Sequence, residues 1–140
     1  MYHVQQRRDL LFLLGEDYRD IVQSIEFRDG GFFDGYMDIE IKKNADGAFV
    51  TFHEFPFGKF PVADRQITPL RWDRLVNKLY TELYLHEWKK HFDDPEVLDG
   101  EQWELTIKMT EGRKRTYSGS NAFPPYWSEL KALFRPFERG

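Results

Sequence analysis

The amino-acid sequence predicts an α+β fold in which an N-terminal helix is followed by a ββαββα succession of elements. Two kinds of periodicity support this prediction. Apolar residues recur at helical spacing in two long segments, residues 5–22 and 69–92. Apolar and polar residues alternate, as they do in half-buried strands, over residues 36–42 and 103–109. Together these elements predict a four-stranded antiparallel sheet packed with helices.

The first half of the chain begins with the helix predicted over residues 5–22, where Leu11, Leu14 and Tyr18 share one face. Two adjacent glycines at positions 30 and 31 break the chain after it. Residues 36–42 and 48–55 then form the first predicted hairpin. The sequence Asn-Ala-Asp-Gly at positions 44–47 joins the strands, because these residues tolerate left-handed backbone.

The second half begins with a loop over residues 56–68. Thr68 is a good helix N-cap and Pro69 suits the first helical turn, so a long helix is predicted over residues 69–92. Pro95 limits how far that helix can continue. Residues 103–109 and 113–118 form the second predicted hairpin, and a helix over residues 125–134 closes the chain.

The two ββα units are similar in detail. Met37-x-Ile39-x-Ile41 matches Trp103-x-Leu105-x-Ile107, and Pro69-x-x-Trp72-x-x-Leu75 matches Pro124-x-x-Trp127-x-x-Leu130. An internal ββα duplication explains these matches. Convergence explains them equally, because a helix that starts at Pro and is fixed to a sheet by Trp and Leu needs this spacing.

Composition indicates one globular domain over residues 1–140, since 41% of the residues are hydrophobic and 31% are charged. The absence of cysteine excludes disulfides and favours a cytoplasmic location. The net charge of −4 argues against nucleic acid as a partner. The apolar run at residues 10–14 is too short to span a membrane, so no membrane association is expected.

No metal, cofactor or catalytic residue is predicted. His86 and His91 lie five residues apart, whereas the zinc-protease motif needs two histidines four apart on one helix face. The acidic residues at positions 93–101 do not fit the order of a calcium-binding loop. A binding role is therefore favoured over an enzymatic one.

The main functional hypothesis concerns the aromatic residues, which make up 17% of the chain. Phe55, Phe57 and Phe60 lie in a segment stiffened by Pro56 and Pro61. Rigid rings in a loop are typical of protein interfaces, so this segment is predicted to bind another protein. The protein would then be an interaction, inhibitor or immunity-type domain, with monomer or homodimer left open. The competing interpretation is that the rings fold inward and cap the sheet.

The alternative function is that of a small-molecule-binding or hydrolytic domain. Ser118, Ser120 and Asn121 form a small polar segment at the end of a predicted strand. Loops at strand ends often carry binding sites, so a ligand pocket could lie there. A simple turn into the last helix, with local backbone hydrogen bonds, explains the same residues.

The C-terminal half also carries a distinctive pattern. Residues 98–107 read Leu-Asp-Gly-x-x-Trp-x-Leu-x-Ile, and residues 119–130 read Gly-Ser-Asn-x-x-Pro-x-x-Trp-x-x-Leu. This pattern resembles a family of small uncharacterised bacterial proteins. The resemblance implies a bacterial or phage origin and a cytosolic location. It implies no catalytic residue, because the family has no assigned activity.

Overall fold

The computed structural model describes residues 17–31, 35–55, 63–94 and 100–138. These ranges contain one seven-stranded mixed sheet. The strands are β1 (Val22–Gly31), β2 (Gly35–Asn44), β3 (Gly47–Phe55), β4 (Ala63–Ile67), β5 (His91–Asp93), β6 (Glu101–Met109) and β7 (Lys114–Ser120). Their order across the sheet is β4-β3-β2-β1-β6-β7-β5. Neighbouring strands are antiparallel except for β5, which runs parallel to β7.

The helices in the described ranges are short. They are α1 (Tyr18–Ile21), α2 (Pro69–Asn77) and α3 (Trp127–Phe134), and α2 continues into a π-helical turn at Lys78–Glu82. Single 3₁₀ turns follow at Leu85–Glu87, Thr110–Gly112 and Arg135–Phe137. The helical segments therefore cover and connect a structure that is built mainly from strands.

The prediction of a four-stranded sheet is wrong, and β1 is the largest part of the error. Its first residue lies inside the segment predicted as the N-terminal helix, of which the described ranges retain only α1 as helix. Ile21, Val22 and Ile25 fit a helical stripe, but Ile25 and Phe27 also alternate as a strand does. The strand forms because β1 gains hydrogen-bonded neighbours on both sides, β2 and β6.

The prediction of a helix over residues 69–92 is also wrong beyond its first half. Its start is as expected, since the Thr68 hydroxyl accepts a hydrogen bond from the Arg71 amide at 3.1 Å. The helical segment ends near Leu83, whose carbonyl accepts a 2.8 Å hydrogen bond from the Trp88 indole. The chain then forms β5, a strand that the prediction of one continuous helix had left out.

Two further corrections concern the connections. Residues 63–67, predicted as loop, form the edge strand β4. The predicted hairpins are present as β2–β3 and β6–β7, but they do not repeat one ββα unit. The first hairpin continues into β4 before its helix, and β1 belongs to neither unit. The proposed duplication therefore does not describe the architecture.

One face of the sheet forms the core with the helices. The buried side chains of this face are Ile25, Phe27, Ile39, Ile41, Val50, Phe52, Trp103, Leu105, Ile107 and Tyr117. They form one cluster with Trp72, Leu75, Val76 and Leu79 of the α2 segment and with Leu130 and Phe134 of α3. Tyr18 stacks on Tyr80 at 3.8 Å between ring centroids. The opposite face, called the polar face below, carries mainly charged and hydroxyl side chains.

Candidate functional site

The register of the strands aligns a continuous row of polar side chains across the polar face. Directly opposite pairs place His53 on β3, Asp38 on β2, Arg28 on β1, Glu104 on β6, Ser118 on β7 and His91 on β5 in sequence across the sheet. We call this set the polar row. Directly opposed side chains in a sheet lie close enough to interact. The row therefore joins residues that are far apart in the sequence.

A pocket of about 530 Å³ lies over one end of the polar row. Arg28, Glu104, Ser118 and His91 contribute from the row itself. The adjacent row contributes Tyr36, Gln102 and Ser120, and the pocket is completed by the chain at Trp103 and Gly119. The lining combines both hydrogen-bond donors and acceptors with one exposed aromatic ring, which is typical of sites for small polar ligands.

The sequence had singled out three residues for a ligand pocket, and two of them line this one. Ser118 and Ser120 are part of the pocket, whereas Asn121 is absent from its lining. The backbone N–H of Asn121 instead donates to the Glu101 carbonyl at 2.8 Å, in a left-handed turn after β7. Asn121 therefore takes part in the turn after β7, which agrees with the other interpretation of this segment, a simple turn into the last helix.

His91 is a site residue that sequence reasoning did not place beside Ser118. Its Nδ1 lies 2.9 Å from the Ser118 hydroxyl oxygen. This is the reach of a serine and its general base, so the pair is compatible with hydrolytic chemistry as well as with ligand binding. Sequence reasoning missed this pair because it did not predict the short strand β5. The parallel pairing of β5 with β7 brings His91 and Ser118 together.

The polar row contains a carboxyl group with unusual protonation. Burial, the negative charge of Glu26 and a hydrogen bond with Glu26 together raise the pKa of Asp38 to about 7. The Arg28 guanidinium, 3.9 Å from the Asp38 carboxylate, opposes that rise only partly. A carboxyl group of this kind gains or loses its proton near neutral pH.

A second candidate site is the groove between α2 and α3, which has a volume of about 520 Å³. Leu75, Leu83 and Phe137 lie at its buried side. The exposed side chains of Arg71, Arg74 and Lys78 form one wall, which follows a single face of the α2 segment. The Arg71 guanidinium lies 4.8 Å from the centroid of the Phe137 ring. The groove is thus apolar at its base and cationic along one wall.

Two tyrosines near this groove have strained backbones. Tyr84 and Tyr126 adopt left-handed conformations, with φ of 54° and 63°. Both rings are exposed, and their centroids are 6.1 Å apart. A non-glycine residue in this conformation costs about 1 kcal/mol. Strained residues occur at binding sites more often than elsewhere, so the pair makes this surface a candidate binding site.

The predicted partner-binding phenylalanines are not placed by the structure. Phe57 and Phe60 lie outside the described residues. The backbone of Phe55 ends β3 opposite Tyr36, but its side chain is also outside the description. Whether these rings face a partner or cap the sheet stays a prediction.

In the described ranges, no group of three or more histidine or acidic side chains is arranged to hold a metal ion. None of the helices in that part of the chain is long and apolar enough to cross a membrane.

Comparisons of the chain with protein-family models, curated proteins and solved structures find no match. The resemblance of the C-terminal half to small bacterial proteins therefore stays an expectation.

Proposed function

We propose that this protein is a non-enzymatic binding protein that holds an acidic segment of another protein in the groove between α2 and α3. The single observation that carries the proposal is the construction of the groove. It combines an apolar base, a cationic wall and a pair of exposed tyrosines. An interaction, inhibitor or immunity-type protein needs such a surface, and the groove supplies one.

The base of the groove suits an apolar anchor side chain. Leu75, Leu83 and Phe137 are almost fully buried and form the floor of the groove, and Ala132 and Pro136 add exposed apolar surface to its lining. A volume of about 520 Å³ accommodates an aromatic or large aliphatic side chain together with adjacent backbone. Anchors of this kind contribute most of the affinity at protein interfaces.

The charges of the groove favour an acidic partner segment. Arg71, Arg74 and Lys78 are exposed along one wall, although the chain as a whole has a net charge of −4. The positive surface is therefore local and distinct from the rest of the molecule. Glu82 and Glu129 also line the groove, so carboxylates of a bound segment should pair with the α2 wall and avoid these two residues.

The two left-handed tyrosines provide a preformed aromatic contact. Tyr126 lines the groove, and the ring of Tyr84 lies beside it. Tyrosine is enriched at interfaces because it offers a large surface at a small cost in side-chain entropy. Their backbone strain supports a role in binding, since a glycine at either position would remove the strain but also the ring.

The test begins with selection of peptides from a random phage-displayed library on the immobilised full-length chain. We expect selected peptides to share an aromatic or large aliphatic residue flanked by aspartate or glutamate. The Kd of one synthetic peptide is then measured by fluorescence anisotropy. Arg74→Glu should weaken binding by about tenfold or more, because it reverses a charge in the wall. Tyr126→Gly should weaken binding similarly without lowering stability.

The matched control is Lys108→Glu, which makes the same charge reversal at an exposed position of the polar face. It should leave the peptide Kd within about twofold, since a distant surface charge has little effect on a short-range contact. Peptides without acidic enrichment, or a Kd unchanged by Arg74→Glu, would show that the groove is not the proposed site.

A further inference from the structure

We propose that the pocket on the polar face binds a neutral sugar of mono- or disaccharide size. This site is separate from the groove between α2 and α3 and does not depend on its function. The inference rests on the shape of the pocket, the balance of its charges and the kinds of hydrogen-bonding groups that line it.

The position of the Tyr36 ring in the pocket depends on Gly30 of the central strand. A Cβ atom at Gly30 would lie 2.3 Å from the Gly35 carbonyl oxygen and 2.7 Å from Cδ1 of the Tyr36 ring. The Tyr36 ring therefore lies close over the Gly30 backbone, and any larger residue at position 30 would occupy the space that the ring needs. Gly30 also pairs with Gln102 on its other side, so the glycine lies between Tyr36 and Gln102 in this row.

The Tyr36 ring gives the pocket an apolar surface. The residue keeps 40% of its surface exposed even though the ring packs over Gly30. One face of a pyranose ring consists of C–H groups, and such a face packs against an aromatic ring. A ligand that is polar all round would leave this surface without a matching group.

The charges in the pocket are balanced, which favours a neutral ligand. Arg28 is the cation of the pocket lining, and register places it between Asp38 and Glu104. Its guanidinium is already 3.9 Å from the Asp38 carboxylate. A phosphate or a free carboxylate would have to compete with these two acids for Arg28, and Glu104 would repel it.

The remaining groups match adjacent hydroxyls. Glu104 accepts hydrogen bonds, Gln102 both donates and accepts, and the hydroxyls of Ser118 and Ser120 do both. The hydrogen bond between Ser118 and His91, 2.9 Å long, connects one of these hydroxyls to the edge strand. A sugar hydroxyl is likewise both donor and acceptor, so neighbouring hydroxyls can satisfy this mixed set.

The proposal is tested by titrating the ¹⁵N-labelled full-length protein with glucose, galactose, mannose, N-acetylglucosamine, maltose and cellobiose. Weak binding with a millimolar Kd is expected, so concentrations reach about 100 mM. At least one sugar should shift the amide signals of Arg28, Gln102 and Ser118 in a saturable manner. Inorganic phosphate and glycine serve as anionic and zwitterionic comparison ligands.

Variants then test which groups make the contact. Tyr36→Leu keeps apolar bulk over Gly30 but removes the ring, and Glu104→Gln removes the carboxylate at similar size. Each should weaken sugar binding by about fivefold or more, whereas Thr51→Ala, on the same face outside the pocket, should leave it unchanged. The spectrum of each variant shows whether it has folded.

Three results would overturn the proposal. The first is that no sugar of the panel shifts the pocket signals. The second is tighter binding of phosphate or glycine than of every sugar, which would mean that the pocket selects a charged ligand. The third is sugar binding that survives both Tyr36→Leu and Glu104→Gln, which would place the sugar elsewhere.

Discussion

Individual residues on both faces of the sheet show how neighbouring groups change the pKa of a carboxyl group. Asp38 is an acidic residue in the alternating pattern of β2, and the sequence gives no sign of unusual protonation. Burial and the neighbouring Glu26 nevertheless raise its pKa to about 7. At the same scale, Lys131 of α3 holds a buried carboxylate, with its Nζ 3.1 Å from Asp29. The hydrogen bond that protonated Glu101 donates to Asp29, with burial and the Asp29 charge, raises the pKa of Glu101 to about 7, and Lys131 opposes this.

The pKa of Asp38 leads to a prediction about pH and stability. Between pH 3.8 and about 7 the unfolded chain has lost a proton that the folded protein keeps. The contribution of Asp38 to stability therefore falls as the pH rises through this range. Asp38→Asn should raise the free energy of unfolding at pH 8 by about 1 kcal/mol, a value reduced for the remaining solvent contact of the carboxyl group.

Urea denaturation of both proteins between pH 4.5 and pH 8 measures this effect. The difference between variant and wild type should shrink towards zero at the acid end. The matched control is Asp64→Asn, which removes an exposed carboxylate on β4 by the same change of side chain. A constant difference across the range would contradict the assignment of the raised pKa to Asp38.

Elements in this protein are fixed by contacts between strands and by turns. The turn between β2 and β3 illustrates both, because Gly47 has φ of 130° and pairs with Asn44. A Cβ atom there would lie 2.1 Å from the Ile67 carbonyl oxygen at the end of β4. The glycine therefore does more than permit the turn, since it lets β4 and the start of α2 approach the hairpin.

Two glycine substitutions separate these effects. Gly112 also has positive φ, at 72°, but no atom lies within 4 Å of its hypothetical Cβ. Gly112→Ala should cost about 1 kcal/mol from backbone strain alone. Gly47→Ala should cost clearly more, about 3 kcal/mol, because the backbone around Ile67 must also shift. Thermal unfolding of the two variants provides the comparison, and equal losses would show that the close contact is unimportant.

The whole molecule depends on one aromatic-rich core on a single side of the sheet. Trp103 is 3% exposed and donates from its indole to the Ala122 carbonyl at 2.9 Å. Its ring lies 5.3 Å from that of Trp127, which is only partly buried. These contacts link β6 with α3 and the segment before it, so the sheet and the last helix are stabilised together.

Removal of this ring should therefore destabilise the complete domain. Trp103→Ala is expected to lower the free energy of unfolding by about 3–5 kcal/mol, the usual cost of deleting a large buried aromatic side chain. The control is Phe49→Ala, because Phe49 on the polar face is 40% exposed and its loss should cost about 1 kcal/mol or less. Denaturant titration measures both variants, and similar values would contradict the placement of the core.

The sequence by itself determined features that depend on a few neighbouring residues. The alternation around Ile39 and Leu105, the turn at Gly47 and the N-cap at Thr68 all predicted elements that the structure contains. Each depends on side-chain periodicity or local backbone conformation, which a short stretch of sequence records. Ser118 and Ser120 were predicted as candidate site residues in the same way, from their place at a strand end.

Only the tertiary structure decided which strands pair and in what register. The first residues of the segment 22–31 fit a helical stripe, and the later ones alternate as a strand does. The whole segment is a strand because it pairs with β2 and β6. His91 meets Ser118 through β5, and Arg28 lies between two acids through register. Hydrogen bonds between distant segments leave no periodic signal in either segment alone, which is why the polar row and its pocket could not be predicted.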